Sequence, residues 1–563
     1  MTTVYSPTEK KTRLEQALAL EELQKNRTQQ DVADEINVPR STLATWLQRD
    51  KKLKRGTNAT IACFLESSAG IIFLHRLITT MLLVFHNSGN CGLPCIQVFL
   101  RLNHFDKFLG ISIGSLSKAA QKMDELLVQF GSAEKNRMAA GMTHKDITGA
   151  LDENFIMELM TLILMEPVSG FILSEGIEEK RDAETWQKVT EAATKNLNIT
   201  IHQMTGDAGS GLTKYTVKVL GAHKSPDLFH IQQDITRGLT SVLARKLKQA
   251  EKDLEEARAQ KKLGMEKMAL LAKEPGMSIT TPQVIKCGQF LCNADKEEKK
   301  NEKILEESQS DYKKAQTARR KITESYHPFD LETGKERVPE ELEITLKESH
   351  KTLKELSEKV DCSEKQKKTL KKAEDMYGSM KQTLAFFWKC ILIIMLRLNL
   401  SDEESIFFKK LISLFYLKLV YERSEKKKDK EKIQKTIDRI KKEIDATELW
   451  RSLDPGKKEQ WKKQSQECAH IFQRSSSAVE GRNGTLSLKF HTFHRLSKLR
   501  MEALTVLHNF FSTRKDNTTA AERFFEQKQR DLVDWLLNHF DFSLRPRSRR
   551  KKSPEKERIS QAA

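Results

Sequence analysis

The chain has 563 residues and carries 97 Lys and Arg against 78 Asp and Glu, a formal net charge of +19 at pH 7. That length is too great for one compact core and predicts three or four domains, while a basic excess spread along the whole chain predicts a polyanionic partner. The cysteine spacing argues against a zinc module: Cys91 with Cys95 and Cys287 with Cys292 lack the paired CxxC pattern and nearby His ligands, so reduced thiols are expected. Lysine-decorated solvated helices would give a similar charge total, so the charge needs motifs beside it.

The opening MTTVYSPTEKKTRLEQ has no apolar segment, and neither a secretion signal nor membrane insertion is expected. Residues 1–55 then contain TQQDVADEINVPRSTLATWLQR, from Thr28 to Arg49, which reads as a helix-turn-helix. Ala33 sits where the two helices approach closely, Asn37 takes a left-handed turn position, and Val32, Ile36, Val38, Leu43 and Trp46 supply a small core. The second helix would then expose Arg40, Ser41, Thr42, Thr45 and Gln48, polar side chains suited to base edges and phosphates of DNA. Residues 56–143 read as helical, either a second DNA-binding or dimerising unit or packing support for a core formed by later residues.

After His144 the pattern changes. DITGALDENF, IMELMTLILM and VSGFILSE predict a three-strand antiparallel meander. A helix is expected from Asp182 as N-cap, then a strand NITIHQM ending at Gly206 and Asp207, then a short helix and a last strand around Leu228 to Ile231. This β-β-β-α-β-α-β order over residues 144–239 is that of an RNase H-like core. Residues 240–468 predict a long charged helical insertion: Leu243, Leu247, Ala250, Leu254 and Ala257 follow coiled-coil spacing, with Leu305, Tyr312, Ala315 and Ile322 on a returning helix. YHPFDLETG interrupts it with Pro and Gly, and the apolar run Leu384 to Leu400, broken by Lys389 and Arg397, reads as a buried helix. Residues 469–545 would complete the core, and 546–563 form a basic tail expected to be disordered. The fold class expected is therefore α+β and multidomain.

Acids at the ends of adjacent central strands are the arrangement that holds divalent ions for phosphodiester chemistry, with oxygen ligands suiting Mg2+ or Mn2+. Asp152 and Asp207 occupy those places, whereas Glu153 would point to the opposite face. A third acid must come from a neighbouring helix, and QRSSSAVEGRNGTLSLKFH offers Glu480. Its serines would cap the helix, Gly481 and Gly484 would let a phosphate backbone approach, Arg474, Arg482 and Lys489 would contact that backbone, and Asn483 would share the face of Glu480. From the residues alone the same segment reads equally as a glycine-containing loop.

The segments LDENF, PVSGFILSE, MTGDAGSGL, SPDLFHI, YHPFDLETG, FQRSSSAVEGRNGTLSLKFH and ALTVLHNFFSTRKDNTTAAERFF together resemble, in order and over most of residues 145 to 546, bacterial insertion-sequence transposases of the DDE type with a long helical insertion. The resemblance implies Asp152, Asp207 and Glu480 as the three catalytic, metal-binding acids, with two Mg2+ or Mn2+ ions per active site. It implies cleavage at the ends of a mobile element and attack of the freed 3′-hydroxyl on target DNA. A homodimer or larger oligomer on DNA in the bacterial cytoplasm, with no membrane partner, follows from that activity. Related transposase groups place Arg four residues before and Lys seven after the third acid; here those positions are Ser476 and Ser487, with Arg474 and Lys489 nearby. The Phe- and Leu-rich stretch from Leu384 to Glu422 is unusual for the insertion and leaves a second reading, an inactive or domesticated copy acting as a DNA-binding regulator. Trp388, Trp450 and Trp461 fall in the insertion, where some transposases stack an aromatic ring on a flipped base; a buried core tryptophan is the commoner role, and Trp388 is the candidate for stacking. His230 could assist near the acids, but at a strand end it reads first as a structural histidine.

Overall fold

The computed structural model describes residues 7–23, 28–56, 59–156, 159–207, 209–493 and 496–542. The tail expected over 546–563 lies outside them. Aliphatic and β-branched residues after His144 form β1 (Lys145–Ile156), β2 (Leu159–Glu166), β3 (Phe171–Ile177), β4 (Ile199–Gly206) and β5 (His223–Pro226). They make one mixed sheet in the order β3-β2-β1-β4-β5. The β1–β2 and β2–β3 pairs are antiparallel, and the β1–β4 and β4–β5 pairs are parallel. The meander expected from the sequence is present, and helix Ala183–Thr194 makes the crossover to β4, with Asp182 accepting from Thr185 N at its start. A five-stranded mixed sheet with helices is loosely compatible with an RNase H-like fold.

The last strand is not where the sequence placed it. Leu228 to Ile231 belongs to helix Leu228–Ile235, and β5 is the preceding His223–Pro226. The physical reason is local: Asp227 caps the helix by accepting from Phe229 N at 2.7 Å, and Leu228, Ile231 and Ile235 bury one face at helical spacing.

Three cores organise the described residues. Leu14, Ala17, Val32, Ala33, Ile36, Val38, Leu43 and Trp46 close a small unit of helices Pro7–Leu23, Gln29–Glu35 and Arg40–Gly56. Asn37 adopts φ 53°, the left-handed turn expected of it. The second core is shared by the sheet, the helices between Ala59 and Ala140, and the segment from Val479 to Phe542. The helices after residue 56 thus pack as support for the sheet rather than around a core of their own. Among the buried side chains of the third core, which runs from Leu228 to Phe472, are Leu384, Phe387, Ile391 and Met395. Among the described residues two helical stretches, Ser68–Ser88 and Glu364–Arg397, are long and apolar enough to cross a membrane by length and composition.

Helices Ser241–Leu271 and Pro282–Ser325 form the antiparallel hairpin expected from the spacing of Leu243, Ala250, Leu254 and Ala257, all buried. Lys261 fixes its register by reaching Asp295 at 2.6 Å and Glu298 at 2.7 Å across the pair.

Candidate active site at the carboxyl end of the sheet

Parallel pairing sets Ala150 of β1 opposite Thr205 of β4, so the next residues on the same side, Asp152 and Asp207, leave the sheet together at its carboxyl end. Close approach requires glycine just before Asp207, because a Cβ on Gly206 would lie 2.5 Å from the Leu151 carbonyl oxygen. Glu153 points to the other face as expected, where it accepts from Trp186 Nε1 at 3.2 Å and pairs with Arg181 at 3.0 Å. Helix Ser477–Phe493 packs on the Asp152 face and carries Glu480 in its first turn. Asn483, one turn further on, donates its side-chain amide to Asp152 Oδ2.

His230 draws the acids into one cluster. Its Nε2 abuts Asp207 Oδ1 and stands 3.7 Å from Glu480 Oε1 and 4.0 Å from Asp227 Oδ2. The structure therefore brings Asp152, Asp207 and Glu480 together although the whole helical region separates the last two in sequence. Two residues outside the expected set, Asp227 and Lys224, complete the surroundings. Asp227, fully buried, accepts from Ser476 N at 3.3 Å and from the Ser476 hydroxyl, tying the start of the Glu480 helix to the end of β5. Lys224 of β5 has an Nζ with no hydrogen-bond partner among the described residues. A helix N-cap pattern, Asp followed by apolar residues at positions one, four and eight, is the sequence signal that points to Asp227.

Burial first, and then the negative charges of Glu480 and Asp207, push the Asp152 carboxyl up to about 6. Burial also raises Glu480, with Asp227 and Asp207 adding to the rise and His230 opposing it. The Asp207 carboxylate against its ring outweighs desolvation and raises His230 to about 9, whereas burial lowers Lys224 to about 7 against the pull of Asp207, Asp227 and Glu153. Because the Asp152 carboxyl is raised in the folded chain, its contribution to stability is present when it is protonated, below the unfolded value near 4, and is lost as pH rises through about 6. Asp152→Asn removes that dependence. In metal-free protein the variant should therefore gain about 2 kcal/mol relative to wild type between pH 4 and pH 7. Urea unfolding at the two pH values measures this, and a pH-independent difference would contradict the crowding of the acids.

Among the described residues no three His, Cys, Asp or Glu side chains already form a closed metal-ligating cluster. The donor chemistry nevertheless suits a hard divalent cation: three carboxylates converge, and the charges of Glu480 and Asp207 raise the proton affinity of Asp152, as Asp207 does that of Glu480. A cleft of about 380 Å³ opens beside them, bounded by Asn154, Glu480, Asn483 and Gly484. A Cβ on Gly481 or Gly484 would meet nothing within 4 Å, so both glycines border open space.

Several side chains read as phosphate contacts are taken up inside the fold. Arg482 is buried in a two-bonded pair with Glu175, Nε at 2.8 Å and Nη2 at 2.5 Å. Lys489, also buried, donates to the carbonyls of Asn87 at 2.9 Å and Ser88 at 2.7 Å, and also to that of Gly89. Burial, with Arg500 and Arg482 nearby, lowers Lys489 to about 8. Arg474 donates to the Thr323 carbonyl at 3.1 Å and to His327 Nε2 at 2.7 Å. Asn483 is likewise buried and spent on Asp152. Of these groups Asn483 alone touches one of the three acids; the partners of the others lie far away in sequence, beyond the reach of local spacing. Trp388 packs against the third core: its Nε1 donates to the Arg337 carbonyl at 2.9 Å, Phe329 and Phe387 pack edge-on against it, and Lys409 lies over its ring. By contrast Arg40, Ser41, Thr45 and Gln48 are exposed on the third helix of the N-terminal unit, with Thr42 half-buried beside them.

The model of DUF6399, a family of unknown function, matches residues 407–552. That span holds Glu480 but neither aspartate. No curated protein matches the chain.

Proposed function

We propose that the chain is a DNA transposase of the DDE type, with an RNase H-like catalytic core interrupted by the helical region from 240 to 468. What carries the reading is the convergence of Asp152, Asp207 and Glu480, from β1, the end of β4 and a helix returning after that region, around His230. Divalent ions bound there, Mg2+ or Mn2+, supply Lewis-acid activation of an attacking oxygen and charge neutralisation at a leaving one. The chain's own groups do the positioning. Asn483 orients Asp152, Ser476 anchors the Glu480 helix on Asp227, and His230 sets a cation against Asp207. Open space at Gly481 and Gly484 leaves room for a DNA backbone beside Glu480. Cleavage by water would free a 3′-hydroxyl, which then attacks a phosphodiester of target DNA. Holding two element ends together requires at least a dimer on the DNA, in the bacterial cytoplasm.

The N-terminal unit fits the DNA-reading part of this function, since the turn at Asn37 and the exposed Arg40, Ser41, Thr45 and Gln48 match a helix-turn-helix recognition surface. Arg40→Ala and Gln48→Ala should each weaken binding to the terminal repeat by about 1 to 3 kcal/mol. Titration against labelled duplex checks this, and unchanged affinity in both variants would remove the unit from repeat recognition. The activity itself is tested by incubating purified protein with duplexes carrying the inverted repeats that flank its gene, with Mg2+ or Mn2+. A metal-dependent nick leaving a 3′-hydroxyl supports the transposase. Sequence-specific binding without any nick would favour the regulator instead.

A further inference from the structure

A broad groove lies within the helical region. It encloses about 1170 Å³ between helix Pro282–Ser325, the Tyr326–Gly334 loop and helix Lys427–Ala446. Nine Lys and Arg line it against five acids. Some of this charge is answered internally: Arg320 pairs with Glu324, Arg337 with Asp330 and Lys432 with Glu332. Lys313, Lys321, Lys426 and Lys428 are exposed on the rim and have no carboxylate in ion-pair range among the described residues. Arg474 sits at the floor with its guanidinium used on the carbonyls of Thr323 and Tyr326 and on His327, so the rim lysines are the charge left for a ligand. Hydroxyl and amide groups of Gln316, Thr317 and Ser424 also face in.

The groove adjoins the acid cluster through the backbone. Leu228 N donates to the Arg474 carbonyl at 2.9 Å, which joins the groove floor to the helix that carries His230, and Gln232 of that same helix lines the groove. A row of unanswered cations with neutral donors is what a phosphodiester backbone requires, and nothing in it selects a base. We propose that this groove is a second, sequence-independent nucleic-acid site that grips the backbone of the strand leaving the catalytic acids. The proposal rests on the transposase reading for the identity of that strand, but its charge chemistry stands apart from catalysis.

The test uses the full chain with Lys321→Gln, Lys426→Gln and Lys428→Gln combined, all exposed positions outside the catalytic cluster. Duplex affinity is measured from 50 to 300 mM salt. Loss of three phosphate contacts should reduce the slope of log affinity against log salt by about 3 and weaken binding at least about tenfold near 0.1 M salt. A control with Lys252→Gln, Lys299→Gln and Lys300→Gln, exposed on the far hairpin, should leave the slope at the wild-type value. An unchanged slope in the groove variant, or an equal fall in the control, overturns the proposal. So does tight ATP or tripolyphosphate binding lost in the groove variant with no change in the DNA slope, which would assign the groove to a soluble phosphate ligand. Nicking is read on the same preparations: a groove effect on the slope with no metal-dependent nick in wild type would sink the transposase reading and leave the groove standing.

Discussion

Asp152→Ala should abolish metal-dependent nicking by at least about 10²- to 10³-fold while leaving DNA affinity unchanged. The size follows from the place of this carboxyl. It is buried, its Oδ1 accepts from Glu153 N at 2.9 Å, its other oxygen takes the Asn483 amide, and it stands in the field of Glu480 and Asp207. Removing it takes away one of the converging oxygen donors and leaves Asn483 without its acceptor. The DNA-reading surface of the N-terminal unit has a separate core and should be untouched. Quantified cleavage of an end-labelled duplex, alongside a binding titration, separates the effects. Cleavage within about threefold of wild type would remove Asp152 from the site, whereas parallel loss of binding would point to misfolding.

Arg482→Ala should cost about 3 to 5 kcal/mol of stability, because it strands a buried carboxylate. Glu175 has no exposed side-chain surface, and its partners are the Arg482 guanidinium and the Thr505 hydroxyl at 2.6 Å. The pair clamps the Glu480 helix to β3, so its loss should also loosen the approach of Glu480 to His230. Combining Arg482→Met with Glu175→Leu removes both charges together and should regain most of the lost stability, since the desolvation of two ions disappears with their attraction. Urea unfolding of the single and double variants is the measurement. A single variant within about 1 kcal/mol of wild type would contradict the clamp.

Local patterns carried much of the fold in the sequence. The meander, the Asp182 cap, the strand ending at Asp207, the left-handed Asn37 and the coiled-coil spacing of the hairpin all depend on residues close together in the chain, and all are present. Helix Leu228–Ile235 was misread because five residues, DLFHI, suit either a buried strand or a capped helix, and only the later Ile235 extends the helical spacing. That error hid Asp227 as an anchor and made a structural role the first reading of His230, the group around which the acids gather. The charged residues near Glu480 were misread for a different reason. Whether Arg482 meets a phosphate or Glu175, and whether Lys489 meets DNA or the Asn87 carbonyl, is decided by contacts spanning hundreds of positions, and no local spacing encodes them. Exposed polar side chains such as Arg40 and Gln48 were legible because an amphipathic helix fixes its outer face by burying its inner one.

The measurement that bears most directly on the three acids is anomalous diffraction from crystals of the wild-type chain grown with Mn2+. Manganese peaks within about 2.0 to 2.6 Å of carboxylate oxygens of Asp152, Asp207 and Glu480 are the expected result. Manganese bound elsewhere, with those three carboxylates bare at saturating metal, would contradict a shared metal site and with it the catalytic role of Glu480.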